Sequence, residues 1–573
     1  DCGRRCHSGR EPGTRAQTSG LLETRGTFFL FLRFPLLASV WCVCVCGVNH
    51  QRLYTFLGSM PRIQKDQLFD LIKSLSKSEK RQFRLFAGRL VVNDQAKFMV
   101  LFDLMDKQLH YDEAAILGHK AISKKQLSNL KAHLYKQMLI SLRLNPVHQN
   151  VRLQIREQLD FATILYHKGL YGQSLKLLDR VKLLALEHEE KNMAFEIIEL
   201  EKVIESQYIT RSIGNRSEVL VSESAGLSAQ NALASALSNL SLQLYGLFLK
   251  KGYVKTDQEF REVSEFYQQQ LPQVHLQDMG FREKLWYYNA ALWYHFIIQD
   301  FKSCYRYALK WANLFYDHPK MINLNPIFYL RGAQYLLEAL FYVGDVGRFE
   351  NALEAMEQTM AQPEFPQREN VQSLAFLYGF THKMNQHFMT GTFHEGLGLV
   401  TPVLEGIKRY ENTLDEHHIM VFYYKIACLY FGCGAYKDCI FYLNKIIANK
   451  SLEMREDLSC FSRILNLVAH YEAGQDYQMD RLIKSTYKFL IKMEDLHQVQ
   501  KEMIAFIRNL GAIYPQDIKK AFHQLYATLK VYEHDPYERR SFLYLDILSW
   551  LKSNIEGRSI PEIIQERLAQ ANP

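Results

Sequence analysis

Tyr423–Ile447, YYKIACLYFGCGAYKDCIFYLNKII, reads as a helix, a short glycine-containing turn and a second helix. Apolar groups fall at helical spacing on both sides of Gly434. A glycine there permits a backbone conformation that a side chain would disfavour. The stretch by itself is weak evidence, and its value lies in its copies.

Working outward, the same register fits elsewhere. LDFATILYHKGLYGQSLKLLDRV places Ala162, Gly169, Tyr171 and Ser174 where the first stretch has Ala427, Gly434, Tyr436 and Cys439. WYYNAALWYHFIIQDFKSCYRYALKW offers Phe301 and Cys304, EALFYVGDVGRFENALEAM offers Gly347, Phe349 and Ala352, and HKMNQHFMTGTFHEGLGLV offers Gly391, Phe393 and Gly396. NLVAHYEAGQDYQMDRLI keeps Tyr471 and Tyr477 but has Asp480 in the small-residue slot. The turn aromatics at 301, 349, 393, 436 and 477 are 48, 44, 43 and 41 residues apart. Small residues are needed where two helices cross closely, because a large side chain would prop them apart.

This pattern resembles the tetratricopeptide repeat (TPR), whose 34-residue helix–turn–helix carries small and aromatic residues at fixed positions. The longer spacing here departs from the family standard. The resemblance covers roughly residues 151–490. It implies an all-α fold, a right-handed superhelical array of antiparallel helix pairs, or α-solenoid. It also implies a concave groove, lined by the first helices, that receives a peptide or a helix. Projected onto this chain, the groove positions are Trp286, Asn289, Trp293, Phe296, Phe341, Asn385, Phe388, Tyr424 and Phe431. The lining is aromatic with Asn interspersed and departs from the Lys/Asn clamp by which some members hold a C-terminal carboxylate.

The flanking regions follow from that frame. Ser212–Ser228 is rich in Ser, Gly and Asn and reads as a loop, and Tyr253 lies 82 residues after Tyr171, leaving room for two units. After Tyr514-Pro515 the predicted helices Asp517–Tyr532, Tyr537–Asn554 and Pro561–Gln570 lack a turn aromatic and read as a cap, so the array is taken as 151–515 and the cap as 516–573.

Residues 60–150 form a separate, basic helical module. They hold sixteen Lys and Arg against eight acidic groups, whereas residues 151–573 carry a net charge of −4. The predicted helices run from Gln67 to Leu75, from a capping box at Ser76–Glu79 to Gly88, from Ala96 to Leu109 and from Ser123 to Leu144. Lys80, Arg81, Arg84, Arg89, Lys124, Lys125, Lys131 and Lys136 could form a phosphate-contacting face, meet an acidic protein or simply be solvated. No helix-turn-helix spacing or β-wing is legible around them.

Residues 1–59 read differently again. The first Met is Met60, and the preceding WCVCVCG at 41–47 is what an alternating TG tract encodes when read in frame. The apolar run 27–48 approaches membrane-spanning length but contains Arg33 and Pro35. A non-native or disordered leader is the expectation, with an anchor or signal as the alternative. Five of the ten cysteines lie in that leader. The remaining five, sparse and odd in number, fit a reducing compartment, so a cytoplasmic protein without a membrane contact is expected if the chain starts at Met60.

No nucleotide-binding, zinc-protease or nucleophile-elbow motif occurs. His417-His418 are adjacent and point apart on a helix, and Cys428, Cys433 and Cys439 fit packing better than a thiolate metal site. No catalytic residue, cofactor or metal is therefore assigned. The expected function is a non-enzymatic scaffold that binds a peptide or helix of a protein partner through the concave face. The alternative is a regulator whose basic module binds nucleic acid and whose array senses a peptide.

Overall fold

A computed structural model describes residues 66–90, 97–145, 150–207, 215–449, 456–474, 476–490, 498–510, 517–533 and 546–571, with isolated positions between 535 and 542. The expectations for the leader 1–59 lie outside these residues. Among the described residues the regular structure is helical throughout and no strand occurs.

The basic module contains α1 (Gln67–Ser74), α2 (Lys77–Leu90), α3 (Lys97–Lys107), α4 (Glu113–Leu117) and α5 (Lys124–Arg143). Its capping box forms as the sequence suggests: the Ser76 N–H donates to Glu79 Oε2 at 2.6 Å, and the Glu79 N–H donates to Ser76 Oγ at 3.2 Å. Ile72, Phe83, Phe102, Met105, Ile116 and Leu134 make the core. Two expectations are corrected. Gly88 lies inside α2 and does not end it, and α4 was missed because five residues are too few to show a helical period.

Consecutive packed helix pairs follow. They are α6 (Val151–His167) with α7 (Tyr171–Glu187), α8 (Lys191–Gln207) with α9 (Arg216–Lys251), and, after α10 (Asp257–Gln270), α11 (Phe281–Ile297) with α12 (Phe301–Asp317). The short α13 (Lys320–Leu324) leads to α14 (Pro326–Val343) and α15 (Val346–Met360). Next, α16 (Glu369–Thr390) is followed by the broken second helix α17 (Phe393–Gly396) and α18 (Val400–Arg409). The pairs α19 (Glu416–Gly432) with α20 (Tyr436–Ile447) and α21 (Glu456–Glu472) with α22 (Asp476–Leu490) complete this part. The first helices α14, α16, α19 and α21 also pack on one another in succession.

One backbone device recurs at the turns. Gly169, Gln299, Gly344, Gly391, Gly434 and Gly474 all have positive φ, and each stands two residues before the first residue of a second helix. Glycine enters this conformation without the strain that a Cβ adds. Gln299 tolerates it while its buried side chain donates from Nε2 to the Val254 carbonyl at 3.2 Å, tying the α9–α10 connector to the α11–α12 turn. At the third of these turns the glycine expected from the sequence, Gly347, lies inside α15, and Gly344 (φ 79°) makes the turn. The small-residue slot follows a rule of its own. Ser174 Oγ donates to the Ala162 carbonyl at 2.8 Å, and Cys304 Sγ lies 3.9 Å from the Leu292 carbonyl, each partner being twelve residues earlier. Cys439 stands twelve residues after Ala427, and both are fully buried.

The loop expected at Ser212–Ser228 is helical from Arg216 onward, and residues 208–214 lie outside the described set. Tertiary contacts override the weak local propensity there. Leu220, Leu227, Leu237, Leu244 and Phe248 are buried along α9, and Arg216 meets Asp179 at 3.1 Å and Glu201 at 3.4 Å. Helix α9 is long and apolar enough to cross a membrane by composition, yet it packs on both α8 and α11. Since α9 alone spans 36 residues, the interval before Tyr253 holds one helix pair where two units were expected. Tyr253 itself lies between α9 and α10, with its ring against Phe248 and Phe296.

Beyond α23 (Gln498–Leu510) and α24 (Ile518–Tyr532), the last two helices are α25 (Ile547–Glu556) and α26 (Ile560–Ala571). The helix expected from Tyr537 is displaced, since Tyr537 and Glu538 form a turn. These elements also return to earlier parts of the chain. Trp550 Nε1 donates to Glu472 Oε1 at 2.7 Å, and Tyr537 Oη donates to Asp257 Oδ1 at 2.9 Å. At Gly391 a Cβ would lie 3.1 Å from the Pro561 carbonyl oxygen, so α26 sits directly against the α16–α17 turn.

Candidate functional site

The helices α14, α16 and α19 are largely apolar; α14 carries Gln334 and Glu338 four apart, α16 carries His382 and Asn385 three apart, and α19 contributes Lys425. Helical spacing puts such residues on one face, and packing of the three helices brings those faces together. The result is one directed chain of hydrogen bonds. Lys425 Nζ donates to Asn385 Oδ1 at 2.5 Å, and Asn385 Nδ2 faces His382 Nδ1 at 3.3 Å. His382 Nε2 faces Gln334 Oε1 at 2.6 Å, and Gln334 Nε2 donates to Glu338 Oε2 at 3.5 Å. With the imidazole neutral, Nδ1 accepts and Nε2–H donates, so every group in the chain donates in the same sense. The chain runs from a cation on α19 to a carboxylate on α14.

Burial explains the charge states. His382 and Gln334 are buried, as is Asn385. Desolvation, aided by the nearby Lys425 charge, lowers His382 from its ordinary 6.5 to about 3, which keeps the ring neutral. Desolvation also lowers Lys425, while the Glu338 carboxylate pulls it back up. Among the described residues no carboxylate oxygen lies within ion-pair distance of Lys425. Its ammonium instead lies 5.5 Å from the Phe388 ring centroid. Lys425, Glu338 and Phe388 are half-buried as whole residues, while the Lys425 ammonium itself is desolvated.

The nine residues projected as groove positions divide by burial. Trp293 is buried among the rings of Tyr245, Phe248, Phe296 and Tyr335. Phe296 is buried against Tyr253, Phe301 and Tyr342. Tyr424 and Phe431 are buried on α19, with Phe431 packing edge-on to Tyr436 at 5.6 Å. Asn289 is buried, and its Oδ1 has no hydrogen-bond partner among the described residues. Asn385 belongs to the polar chain. Trp286, Phe341 and Phe388 remain half-buried, with Trp286 edge-on to Phe328 at 5.5 Å.

Sequence reasoning picked Asn385 and Phe388 but missed Gln334, Glu338, His382 and Lys425. The available signal was the spacing: Gln334 and Glu338 are four apart, and His382 and Asn385 three apart, each pair inside an apolar helix. The three cysteines near this site have thiols pushed up by burial, Cys428 to about 12 and Cys433 to about 11, with Cys439 also well above its ordinary value. The His418 ring sits 2.7 Å from Asp415 Oδ1, the carboxylate that also caps α19.

A search of family models, of curated proteins and of solved structures finds no match to this chain.

Proposed function

We propose that the chain is a non-enzymatic, TPR-like interaction scaffold that holds a peptide or helix of a protein partner on the concave face of a right-handed solenoid. The observation carrying this reading is the polar chain across α14, α16 and α19, which ends on the half-buried residues Lys425, beside Phe388, and Glu338. A cation, a carboxylate and an aromatic ring on rigid, mutually bonded helices suit a ligand segment with polar and apolar groups. Phe341, three residues after Glu338 on α14, adds an apolar group to that helix face, and Trp286 on α11 is likewise half-buried. The polar chain costs no reorganisation when a partner binds, because its internal groups already satisfy one another.

A cytoplasmic location belongs to the same proposal and rests on the five sparse free cysteines after residue 60. The second reading, a regulator that also touches nucleic acid, is favoured by a separate observation on α5.

The test is capture of partners by the full chain and by a Trp286→Ala/Lys425→Met variant. Both residues are half-buried, so the variant should keep the far-ultraviolet helical signal. Loss of the same captured protein from the variant supports the reading. Undiminished capture of every partner overturns it.

A further inference from the structure

The eight basic residues of the N-terminal module do not share one environment. Lys80 meets Asp106 at 2.7 Å, Arg84 meets Asp103 at 2.9 Å, and Lys131 turns inward to Asp66 at 2.8 Å. Arg81, Arg89, Lys124, Lys125 and Lys136 are exposed and form no ion pair among the described residues. Three of these five lie on α5, whose twenty residues, KKQLSNLKAHLYKQMLISLR, include no Asp or Glu. A helix that is merely solvated ordinarily mixes both signs.

The placement of α5 makes that composition specific. Ile116 of α4, Ile122 of the six-residue connection and Leu127 and Leu134 of α5 enter one core. This turns Lys125, Asn129, Ala132 and Lys136, spaced at i, i+4, i+7 and i+11, to the outside, and all four are exposed. Lys124 and Lys125 occupy the first turn of α5, where the helix dipole disfavours a cation and favours an anion. Up to Lys131 the exposed uncharged side chains are Gln126, Ser128 and Asn129, which hydrogen-bond and are not bulky. The exposed large apolar side chains of α5, Tyr135 and Leu139, lie in its C-terminal half beside Lys136. An acidic protein partner would call for large apolar anchors along the first turns as well, whereas base edges and phosphates call for the composition found there.

We infer that the exposed face of α5 docks against duplex DNA, with Lys124, Lys125 and Lys136 on phosphates and Asn129 beside Ala132 turned towards the groove. A helix fits the major groove of B-form DNA, and the narrow major groove of A-form RNA does not admit it. This surface is independent of the face formed by α14, α16 and α19.

The test is anisotropy of a labelled duplex oligonucleotide, about two helical turns long, titrated with the full chain. Three phosphate contacts predict about a 40-fold loss of affinity between about 50 and 200 mM salt. Lys125→Glu/Lys136→Glu should weaken binding at the lower salt by at least about tenfold. Lys302→Glu/Lys320→Glu, which makes the same change in net charge at exposed positions of the array, should leave it unchanged. Absence of binding at low salt overturns the inference, as does equal loss in both double variants. Displacement of the duplex by polyglutamate at equal charge would also overturn it and assign the face to an acidic protein. Both pairs of lysines are exposed, so folding of each variant can be checked by its helical signal.

Discussion

Two junctions of the array hold three neighbouring helices in register by different means. Across α7, α8 and α9 the contact is ionic. Lys182 Nζ lies 2.9 Å from both Glu201 and Glu223, and Glu201 is 0% exposed. Arg216 adds a second cation near the same carboxylate. Across α14, α16 and α19 the contact is a chain of neutral donors and acceptors with one cation at its end. The ionic junction is closed on itself: removing Lys182 leaves the buried Glu201 with Arg216 at 3.4 Å as its counterion. The neutral chain is directional and ends on two half-buried residues, Lys425 and Glu338. The first couples three helices through buried charges, the second through a file of neutral hydrogen bonds.

The largest expected effect separates the two most directly. Lys182→Met leaves the buried Glu201 with Arg216 alone and takes the cation from Glu223, and should cost about 3 kcal/mol, measured as a shift in the denaturant midpoint. A cost below about 1 kcal/mol would mean that the ionic junction behaves as a surface pair. Asn385→Leu interrupts the neutral chain in its middle, leaving the His382 Nδ1 acceptor and the Lys425 donor unmatched, and should cost about 2 kcal/mol.

Acid should act on the two junctions in opposite directions. Burial raises Glu201 above its ordinary 4.5, despite Lys182 and Arg216. The folded state therefore holds this proton more tightly than the unfolded state does. Its contribution is present below the unfolded value and is lost as pH rises through the folded one. Burial lowers His382 to about 3. The unfolded state then takes up the proton first, so this contribution is present above 6.5 and is lost as pH falls towards 3. Replacing His382 by Gln should flatten the acid side of the stability profile between those values, and Glu201→Gln should leave that loss in place.

A smaller effect sets a baseline common to both ends of the array. Gly169 and Gly434 both have φ 73°, and a Cβ at either would meet nothing within 4 Å. Each change to Ala should therefore cost about 1 kcal/mol from backbone strain alone. Gly391→Ala should cost more than either, because its Cβ would also press on Pro561 and Ile564 of α26. The smallest effect is expected for Lys425→Met. This change removes a desolvated cation but also leaves the buried Asn385 Oδ1 without its donor; the two effects oppose, and the stability change should stay below about 1 kcal/mol. The contrast with Lys182→Met is the sharpest statement of the comparison.

Legibility in the sequence followed the range of the interaction. Helical period, the capping box at Ser76–Glu79 and the turn glycines at 169, 391 and 434 are local, and the structure reproduces them. The reading failed where distant residues decide. At 216–228 the Ser- and Gly-rich stretch is held helical by α8 and by charges from α7. Gly347 copied the turn spacing, yet the chain needed its positive φ three residues earlier, at Gly344. Among the projected groove residues, large neighbours cover Trp293 and Phe296, and no local pattern announces which side a neighbouring helix will take.

The sequence by itself determined an all-helical chain of paired helices, because each pair is specified by contacts within about forty residues, the spacing of its own copies. Only the tertiary structure decided that Lys425, Asn385, His382 and Gln334 form one chain, that Lys131 is neutralised by Asp66 while Lys125 is not, and that α26 comes to rest on Gly391. The physical reason is common to all three. A polar or charged residue acquires its role from the partner across the interface, and that partner is brought there by packing of helices far apart in the chain.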